Sequence, residues 1–554
     1  MRRALPMLLL APLSARATNV LIIVADDLGA DKIALFTPSD DPDPSAVDAT
    51  PTTADFQPAT PTIDALAAAG LRFTNAWANP ACSPTRASLL TGDYAFHHGV
   101  GGVIGDAASV PDLSTTSSTL VDDLPRDQPA ALFGKWHLGE DTGGTVWDSA
   151  EDCRRPLLVA DAPAPIDHGF VAYTGGLAGE PEDYTNWQMV AWPGARHRSE
   201  VCMNTEEYPD IRTRQEAVAW IGAQSGHPWL AMVMFNAPHN DGGGGHAYWE
   251  VDDLSPACPL VASRFAGCFA ATPADGCASR GDGCDFDGDG QPHYDCTTRA
   301  RDMEDAALQQ YALYQLLAEC MDADVGTLLA DIEALDGGAA LSDTLILFVG
   351  DNGTPGNVIE GPYAAEGSSV SDAGKTRTLE SGIRVPLVLT EGATWFGGAG
   401  TWITAPNREV SRSVHIVDIR ETIDAVVNGR ATDTSDGESF RRCFTDTTRN
   451  CGYTSRRPLW SELYTYSAAG NLTSGQAAYR SNLGKLVLAL EEDHAGAACM
   501  NTEAFDLVAD PYETTPLTSG GSDHRLRAAV DTWVTGGTGP TWLPTDGSGV
   551  YWCP

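Results

Sequence analysis

The 554-residue sequence lacks long hydrophobic runs, is poor in positive charge and shows no internal repeat. No stretch after its first residues approaches the roughly 20 apolar residues that a membrane helix needs, so we expect no membrane span. Lysine and arginine number 34 against 75 aspartates and glutamates, which gives a net charge of −41. Nucleic acid and anionic membrane surfaces would be repelled, so neither is an expected partner. A negatively charged substrate would need a locally cationic pocket.

The first 17 residues have the pattern of a signal peptide. Arg2 and Arg3 precede a short apolar run, and Ala15-Arg16-Ala17 fits an A-x-A cleavage site. We therefore expect a secreted or periplasmic protein.

The cysteine content agrees with export. The chain has 13 cysteines, and disulfides form in oxidising compartments. Cys443 and Cys451 are close enough to close a small loop, and Cys499 and Cys553 could tie down the C-terminal end. The sequence alone allows many other pairings.

Four short apolar runs are each followed by residues whose side chains could take part in catalysis or metal binding. The runs cover residues 19–25, 130–133, 229–235 and 344–349, and they precede Asp26-Asp27, Gly134-Lys135-Trp136-His137, Asn236-Ala237-Pro238-His239 and Gly350-Asp351-Asn352-Gly353. In open α/β sheets, ligands bind beyond the carboxyl ends of the strands. The four endings therefore predict one shared site.

The wider pattern predicts the α/β class. Helical periodicity at residues 61–70 and 303–335 places packing helices between the strands. Residues 240–300 are rich in Gly, Cys, Asp and Pro and indicate an insertion held by disulfides. We expect a catalytic domain over residues 18–430, with a large mixed, mostly parallel sheet sandwiched between helices. After a composition shift near residues 429–442, a smaller C-terminal α+β domain over residues 431–554 would be built on an antiparallel sheet.

Two of the strand endings carry the ligands that a hard cation prefers. Asp26, Asp27, Asp351 and Asn352 supply carboxylate and amide oxygens, which suit calcium or magnesium. The alternative is that these residues only cap a segment and form a turn. Two such endings on predicted neighbouring strands favour the metal site.

A second cation site is possible within the insertion. Residues 285–290 read Asp-Phe-Asp-Gly-Asp-Gly, which is similar to the opening of a calcium loop. The twelfth position is Cys296, so an EF-hand is not matched. Asp285, Asp287 and Asp289 either hold a structural calcium ion or belong to an acidic disulfide loop.

One cysteine stands in a special context. Cys82-Ser83-Pro84-Thr85-Arg86 is followed by Leu90-Thr91-Gly92, and Pro84 suits the first turn of a helix. Residue 82 then lies at a helix N-terminus, where free amides favour an anion. An arbitrary cysteine of an exported chain would instead be buried or paired.

This segment resembles the signature of the type I sulfatases of the alkaline phosphatase-like superfamily, C-x-P-[ST]-R followed by L-T-G. The resemblance implies that a formylglycine-generating enzyme oxidises Cys82 to formylglycine, whose hydrate is the nucleophile. Twelve other cysteines then remain for disulfides. Asp93 follows the signature where many relatives carry arginine. A second segment, 374–386, is close to the family's G-K-x-x-x-x-E-G-G-x-R-x-P, with Ser381 replacing a glycine.

The resemblance also assigns roles to the other candidates. Arg86 holds the hydrated aldehyde, Lys135 binds sulfate, and His137 moves the proton that releases sulfate. His239 and Lys375 hold sulfate and protonate the departing oxygen. A calcium ion, rather than magnesium, is held by Asp26, Asp27, residue 82, Asp351 and Asn352. Taken alone, a lysine is more often a solvated surface charge and a histidine a hydrogen-bonded one.

The expected function is therefore a calcium-dependent sulfatase that hydrolyses a small-molecule or carbohydrate sulfate ester. A phosphonate or phosphodiester hydrolase of the same fold is an alternative, since such relatives use the same nucleophile on phosphorus. A non-catalytic binder of sulfated ligands, in which Cys82 stays a thiol, is another. Nothing in the sequence selects among aryl, choline, steroid and carbohydrate sulfates.

Overall fold

The computed structural model describes four main ranges, 19–36, 57–139, 163–239 and 303–553. Shorter gaps inside these ranges lie at 106–109, 178, 180–186, 193–200, 206, 225, 360–372, 396, 433, 454–457, 468–470, 482–483, 493–496, 511–512, 518–520, 538 and 546–548. The predicted signal peptide, the 240–300 insertion and its Asp285–Asp289 loop lie outside the described residues. In the described part, no helix combines the length and apolar character needed to cross a membrane.

Sixteen strands form three sheets in the described part of the chain. They are β1 (Asn19–Ala25), β2 (Gly70–Phe73), β3 (Ala76–Trp77), β4 (Ala130–Gly134), β5 (Ala172–Gly175), β6 (Trp187–Trp192), β7 (Val201–Thr205), β8 (Leu230–Met234), β9 (Thr344–Gly350), β10 (Leu387–Glu391), β11 (Arg408–Val410), β12 (Val414–His415), β13 (Leu459–Tyr466), β14 (Leu472–Ser481), β15 (Gly484–Glu492) and β16 (Ala498–Phe505). A ten-stranded sheet has the order β11-β2-β10-β9-β1-β8-β4-β5-β6-β7, and β12 pairs with β3.

The helices differ widely in length. They are α1 (Pro61–Ala69), α2 (Cys82–Thr91), α3 (Ala95–His98), α4 (Pro209–Ala223), α5 (Met303–Ala334), α6 (Ala339–Ser342), α7 (Glu380–Ile383), α8 (Gly392–Trp395), α9 (Asp418–Val427), α10 (Arg442–Thr445) and α11 (Gly521–Thr535). The predicted helices at 61–70 and 303–335 correspond closely to α1 and α5.

The centre of the large sheet is parallel and buried on both faces. Strands β9, β1, β8, β4 and β5 run parallel to one another. Every residue of β1 is buried, which explains its continuous apolar run. Alternate residues of β1 belong to two separate hydrophobic clusters, one containing side chains of α1, α4 and α5 and the other side chains of α2 and α9. This is the expected sheet between two helical layers.

The C-terminal part confirms the predicted antiparallel sheet. Strands β13, β14, β15 and β16 pair in sequence order, each antiparallel to the next, and α11 packs on this sheet. Both candidate disulfides form, Cys443 with Cys451 and Cys499 with Cys553. The second of them fixes the chain end to β16.

Candidate active site

The four chemistry-bearing strand endings meet at one edge of the sheet. Strands β4, β8, β1 and β9 are consecutive neighbours, and their last residues are in register: Gly134 lies opposite Met234, Val24 opposite Met234, and Ala25 opposite Gly350. Parallel strands place their carboxyl ends on the same side. The loops that follow them therefore form one pocket floor.

Cys82 is a free, buried thiol at the first residue of α2. Ala81 before it is extended, and Pro84 occupies the first turn, where its missing N–H has no helical partner to lose. Burial raises the pKa of the thiol. The thiol is therefore protonated at neutral pH in this structure.

His137 has a defined tautomer beside the thiol. Its Nε2 lies 3.0 Å from the carbonyl oxygen of Ile104, and its Nδ1 lies 3.2 Å from Sγ of Cys82. A carbonyl only accepts hydrogen bonds, so the proton of the neutral ring is on Nε2. Burial and the nearby ammonium of Lys135 lower the pKa of His137 to about 4. The lone pair on Nδ1 is therefore directed at residue 82.

Arg86 lies one turn further along α2 and is fully buried. Its Nε and one terminal nitrogen donate to Oδ2 of Asp351 at 3.0 and 2.8 Å, and the other terminal nitrogen donates to the Lys135 carbonyl at 2.9 Å. The terminal nitrogen that donates to Asp351 also lies 3.7 Å from Oδ2 of Asp26. Burial opposes the charge, but Asp351 and Asp26 outweigh it and raise the pKa of Arg86.

Two lysines complete the cationic lining. Lys135 is fully buried and donates to Oδ2 of Asp26. Lys375 lies 2.7 Å from Oδ1 of Asp27 and 3.0 Å from Nε2 of His239. Burial opposes the charge of Lys375, but Asp27 outweighs it and raises the pKa. The side chain of Lys375 is 17% exposed, so it is more accessible to solvent than Lys135.

The oxygen donors fit a divalent cation. Oδ1 of Asp26 and Oδ1 of Asn352 are buried and have no hydrogen-bond partner among the described residues. Burial and the neighbouring Asp26 carboxylate raise the pKa of Asp351. Like charges held this close need a counter-ion, and unpartnered buried oxygens are the ligands that calcium and magnesium use. The donor chemistry therefore suits a divalent cation.

Asp27 connects the oxygen donors to the proton-carrying groups. Its backbone N–H donates to Oδ1 of Asp351 at 3.1 Å, and its Oδ1 accepts from Nδ2 of Asn352 at 2.8 Å. Burial works against ionisation, but His239 and Lys375 outweigh it and lower the pKa of Asp27. Ligand atoms of Asp26, Asp27 and His239 lie within 4.8 Å of one another. These three side chains could together hold a metal ion.

The structure brings every predicted site residue together: eight are linked by hydrogen bonds and ion pairs, and the Cys82–His137 pair lies beside them, where the charge of Lys135 acts on it. These residues are Asp26, Asp27, Cys82, Arg86, Lys135, His137, His239, Asp351, Asn352 and Lys375. Three cations balance three carboxylates among them. Cations that an anionic substrate would need are therefore present at the site, and neighbouring carboxylates balance their charge.

Sequence reasoning missed two supporting residues. The carbonyl of Ile104 selects the tautomer of His137, but a main-chain acceptor leaves no sequence signal. The carboxylate of Asp210 accepts backbone N–H bonds from Asn236 at 2.7 Å and Ala237 at 3.1 Å, which holds the turn leading to His239. A buried aspartate next to the proline that starts α4 was the available clue.

A matching family model and two curated relatives indicate the sulfatase family. A family model described as Sulfatase matches residues 18–422. Human N-acetylgalactosamine-6-sulfatase is 24% identical over 67% of this chain and 56% of its own length. Mouse arylsulfatase J is 30% identical over 23% of this chain and 19% of its own length. The chain thus matches about half or less of the length of these two curated relatives.

Solved structures share the fold over almost the whole chain. A protein in complex with its substrate D-glucosamine-2-N,6-O-disulfate has a TM-score of 0.57 and 15% identity, covering 90% of this chain and 93% of that chain. The phosphonate monoester hydrolase of Agrobacterium radiobacter has a TM-score of 0.55 and 18% identity, covering 94% and 95%. At these identities the likeness establishes the fold.

Proposed function

Because the chain belongs to the sulfatase family, we propose that it is a sulfuric ester hydrolase that uses a formylglycine made from Cys82 and a calcium ion. Its substrate class is a small-molecule or carbohydrate sulfate monoester. A formylglycine-generating enzyme acts on it during maturation, in a secretory or periplasmic route.

A single observation carries the proposal. Residue 82 lies at the start of α2 with the unprotonated Nδ1 of His137 at 3.2 Å, while Arg86, Lys135 and Lys375 surround the same space. A helix N-terminus and three cations favour a tetrahedral anion. A neutral imidazole beside the nucleophile position supplies a base.

Each side chain has its own role in the proposed reaction. Lys135 and Lys375 bind the sulfate oxygens and offset charge that develops during transfer. Arg86 holds the hydroxyl group of residue 82 and stays charged because two carboxylates face it. His137 accepts a proton at Nδ1 from the second hydroxyl of residue 82. His239 or Lys375, whose nitrogens lie 3.0 Å apart, gives a proton to the departing alcohol oxygen.

The proposed metal and modified residue supply what these side chains lack. When present, the formylglycine hydrate provides the nucleophilic hydroxyl and calcium polarises the ester oxygens. Asp26, Asp27, Asp351 and Asn352 would hold the calcium ion together with the oxidised residue 82. The two unpartnered oxygens of Asp26 and Asn352 support this assignment.

Phosphonate or phosphodiester hydrolysis is the second candidate. The fold shared with the Agrobacterium radiobacter phosphonate monoester hydrolase favours it. Sulfate and phosphonate are both tetrahedral, and the same cations and nucleophile position serve either.

The test combines mass spectrometry with rate measurements on protein co-produced with a formylglycine-generating enzyme. The peptide containing residue 82 should lose about 18 Da, the difference between cysteine and formylglycine. Turnover of nitrophenyl sulfate should exceed turnover of a matched nitrophenyl phosphonate, and Cys82→Ala should abolish both. A faster phosphonate reaction would favour the second candidate. An intact thiol without turnover would leave a binder of sulfated ligands.

A further inference from the structure

The C-terminal sheet contains a buried cation that faces the catalytic part of the chain. Lys485 on β15 is fully buried, and its ammonium lies 2.8 Å from Glu513 and 3.3 Å from Glu380. It also lies 5.0 Å from the centre of the Trp77 ring. A lysine is almost never fully buried unless it is paired, so these contacts account for its position.

Glu380 connects this cation to the turn that carries Lys375. Glu380 is the first residue of α7, and its backbone N–H donates to Glu513. The preceding turn, residues 374–380, is closed at its base by the backbone N–H of Gly374, which donates to Oγ of Ser381 at 2.8 Å. Lys375 is therefore held between a fixed point on β15 and the strand endings of the large sheet.

The turn contains a strained residue that needs support from both sides. Thr376 has φ 70°, a left-handed conformation that is unfavourable for a β-branched side chain. Its backbone N–H donates to the Pro80 carbonyl at 2.6 Å, and its own carbonyl accepts from Gln476 on β14. Such a conformation persists only where the surroundings over-determine it.

We propose that Lys485 is a positioning residue: by pairing with Glu380 and Glu513 it holds the 374–380 turn so that the ammonium of Lys375 stays against Asp27 and His239. This inference rests on the proposed function, in which Lys375 binds sulfate. The contacts of Lys485 are with Glu380, Glu513 and Trp77, none of which has a proposed role in binding substrate or metal. The C-terminal domain thereby contributes to a site built by the other domain.

The proposal predicts coupling between two lysines. Affinity for inorganic sulfate is measured by calorimetric titration, which needs no turnover. Lys375→Ala and Lys485→Met should each weaken sulfate binding about tenfold, the value of one charge-assisted hydrogen bond. The double variant Lys375→Ala/Lys485→Met should bind no more weakly than Lys375→Ala alone, because Lys485 acts through Lys375. Lys485→Arg should retain most of the affinity.

A matched control separates positioning from general destabilisation. Arg412 is a buried cation paired with Glu438 at 2.8 Å and lies 3.4 Å from the centre of the Tyr453 ring, away from the turn. Arg412→Met should lower the melting temperature without changing sulfate affinity. Amide exchange followed by mass spectrometry should show faster exchange in residues 374–380 for Lys485→Met, and unchanged exchange there for Arg412→Met.

Should Lys485→Met fail to fold, Lys485→Gln/Glu513→Gln replaces the ion pair with amides and keeps the charge balance. The same weakened sulfate affinity and faster exchange are expected of it. Unchanged affinity in a folded variant, or additive losses in the double variant, would overturn the positioning role and leave the proposed function intact. A wild type that neither binds sulfate nor hydrolyses esters would overturn the proposed function itself.

Discussion

The Sγ atom of Cys82 lies 3.2 Å from Nδ1 of His137, although 55 positions separate the two residues in sequence. The first stands at the start of a helix and the second follows a strand of the large sheet. The carbonyl of Ile104 holds the other ring nitrogen in its protonated form. An unprotonated ring nitrogen is therefore directed at residue 82, as the proposed function requires.

Removing this base should slow the reaction without weakening substrate binding. His137→Ala should lower kcat by roughly 10²- to 10⁴-fold, the usual contribution of a positioned general base, and KM should fall with it because sulfate release becomes the slow step. The measurement is steady-state kinetics on nitrophenyl sulfate. His98 is a suitable control. Burial lowers the pKa of this second histidine to about 3, and its Nε2 contacts Ser88 on α2, the helix that begins at Cys82. Equal kcat in His137→Ala and His98→Ala would contradict the role.

Chelation should destabilise the protein and abolish turnover. Removing the metal leaves Asp26 and Asp351 facing each other without a divalent counter-ion, so the melting temperature should fall and recover on adding calcium. Asn352→Ala should raise the calcium concentration needed for recovery. Asn428→Ala, which removes an amide hydrogen-bonded to the Asp123 carbonyl, should leave the required calcium concentration unchanged. A melting temperature indifferent to calcium in all variants would argue against the metal.

Loss of the Asp210 carboxylate should affect both stability and the His239 turn. Asp210→Ala leaves two buried backbone N–H groups without acceptors and should cost roughly 2–4 kcal/mol of unfolding free energy. Denaturant unfolding measures this, and kcat/KM should fall as well because the turn leads to His239. Asp331→Ala, which removes a half-exposed partner of Arg214, should cost about 1 kcal/mol or less. Similar costs for the two variants would refute the expectation.

Glu462 should make the stability depend on pH. Burial raises its pKa from 4.5 to about 7, and its oxygens accept from the Phe96 N–H at 2.8 Å and the Trp542 indole at 2.6 Å. Between these two pH values the folded state keeps a proton that the unfolded state has released. The free energy of unfolding therefore falls as pH rises through this window, by about 3 kcal/mol for this group.

Glu462→Gln isolates that contribution. The amide does not titrate, so unfolding curves of variant and wild type should diverge in favour of the variant as pH increases from 4.5 to 7. A constant offset from the altered hydrogen bonds leaves this slope unaffected. Parallel stability curves across the window would show that Glu462 does not carry the titration.

Local patterns were sufficient for the main elements and for the polar side chains that the structure brings together at the strand endings. Four of the central parallel strands, β1, β4, β8 and β9, are short apolar runs followed at once by predicted site residues, so both can be read from neighbouring positions. Edge strands were less visible. Strands β6 and β7 are antiparallel additions to the large sheet, and their pairing depends on partners that no local pattern identifies.

Sequence by itself determined which side chains are available at strand endings and at the start of α2, because hydrophobic periodicity and the Pro84 position act over a few residues. Tertiary structure alone decided the tautomer of His137, the support of Asn236 and Ala237 by Asp210, and the pairing of Lys485 with Glu380. These contacts join segments up to 105 residues apart. Such pairs form only after the sheets have packed, since burial is what makes each unpaired polar group costly.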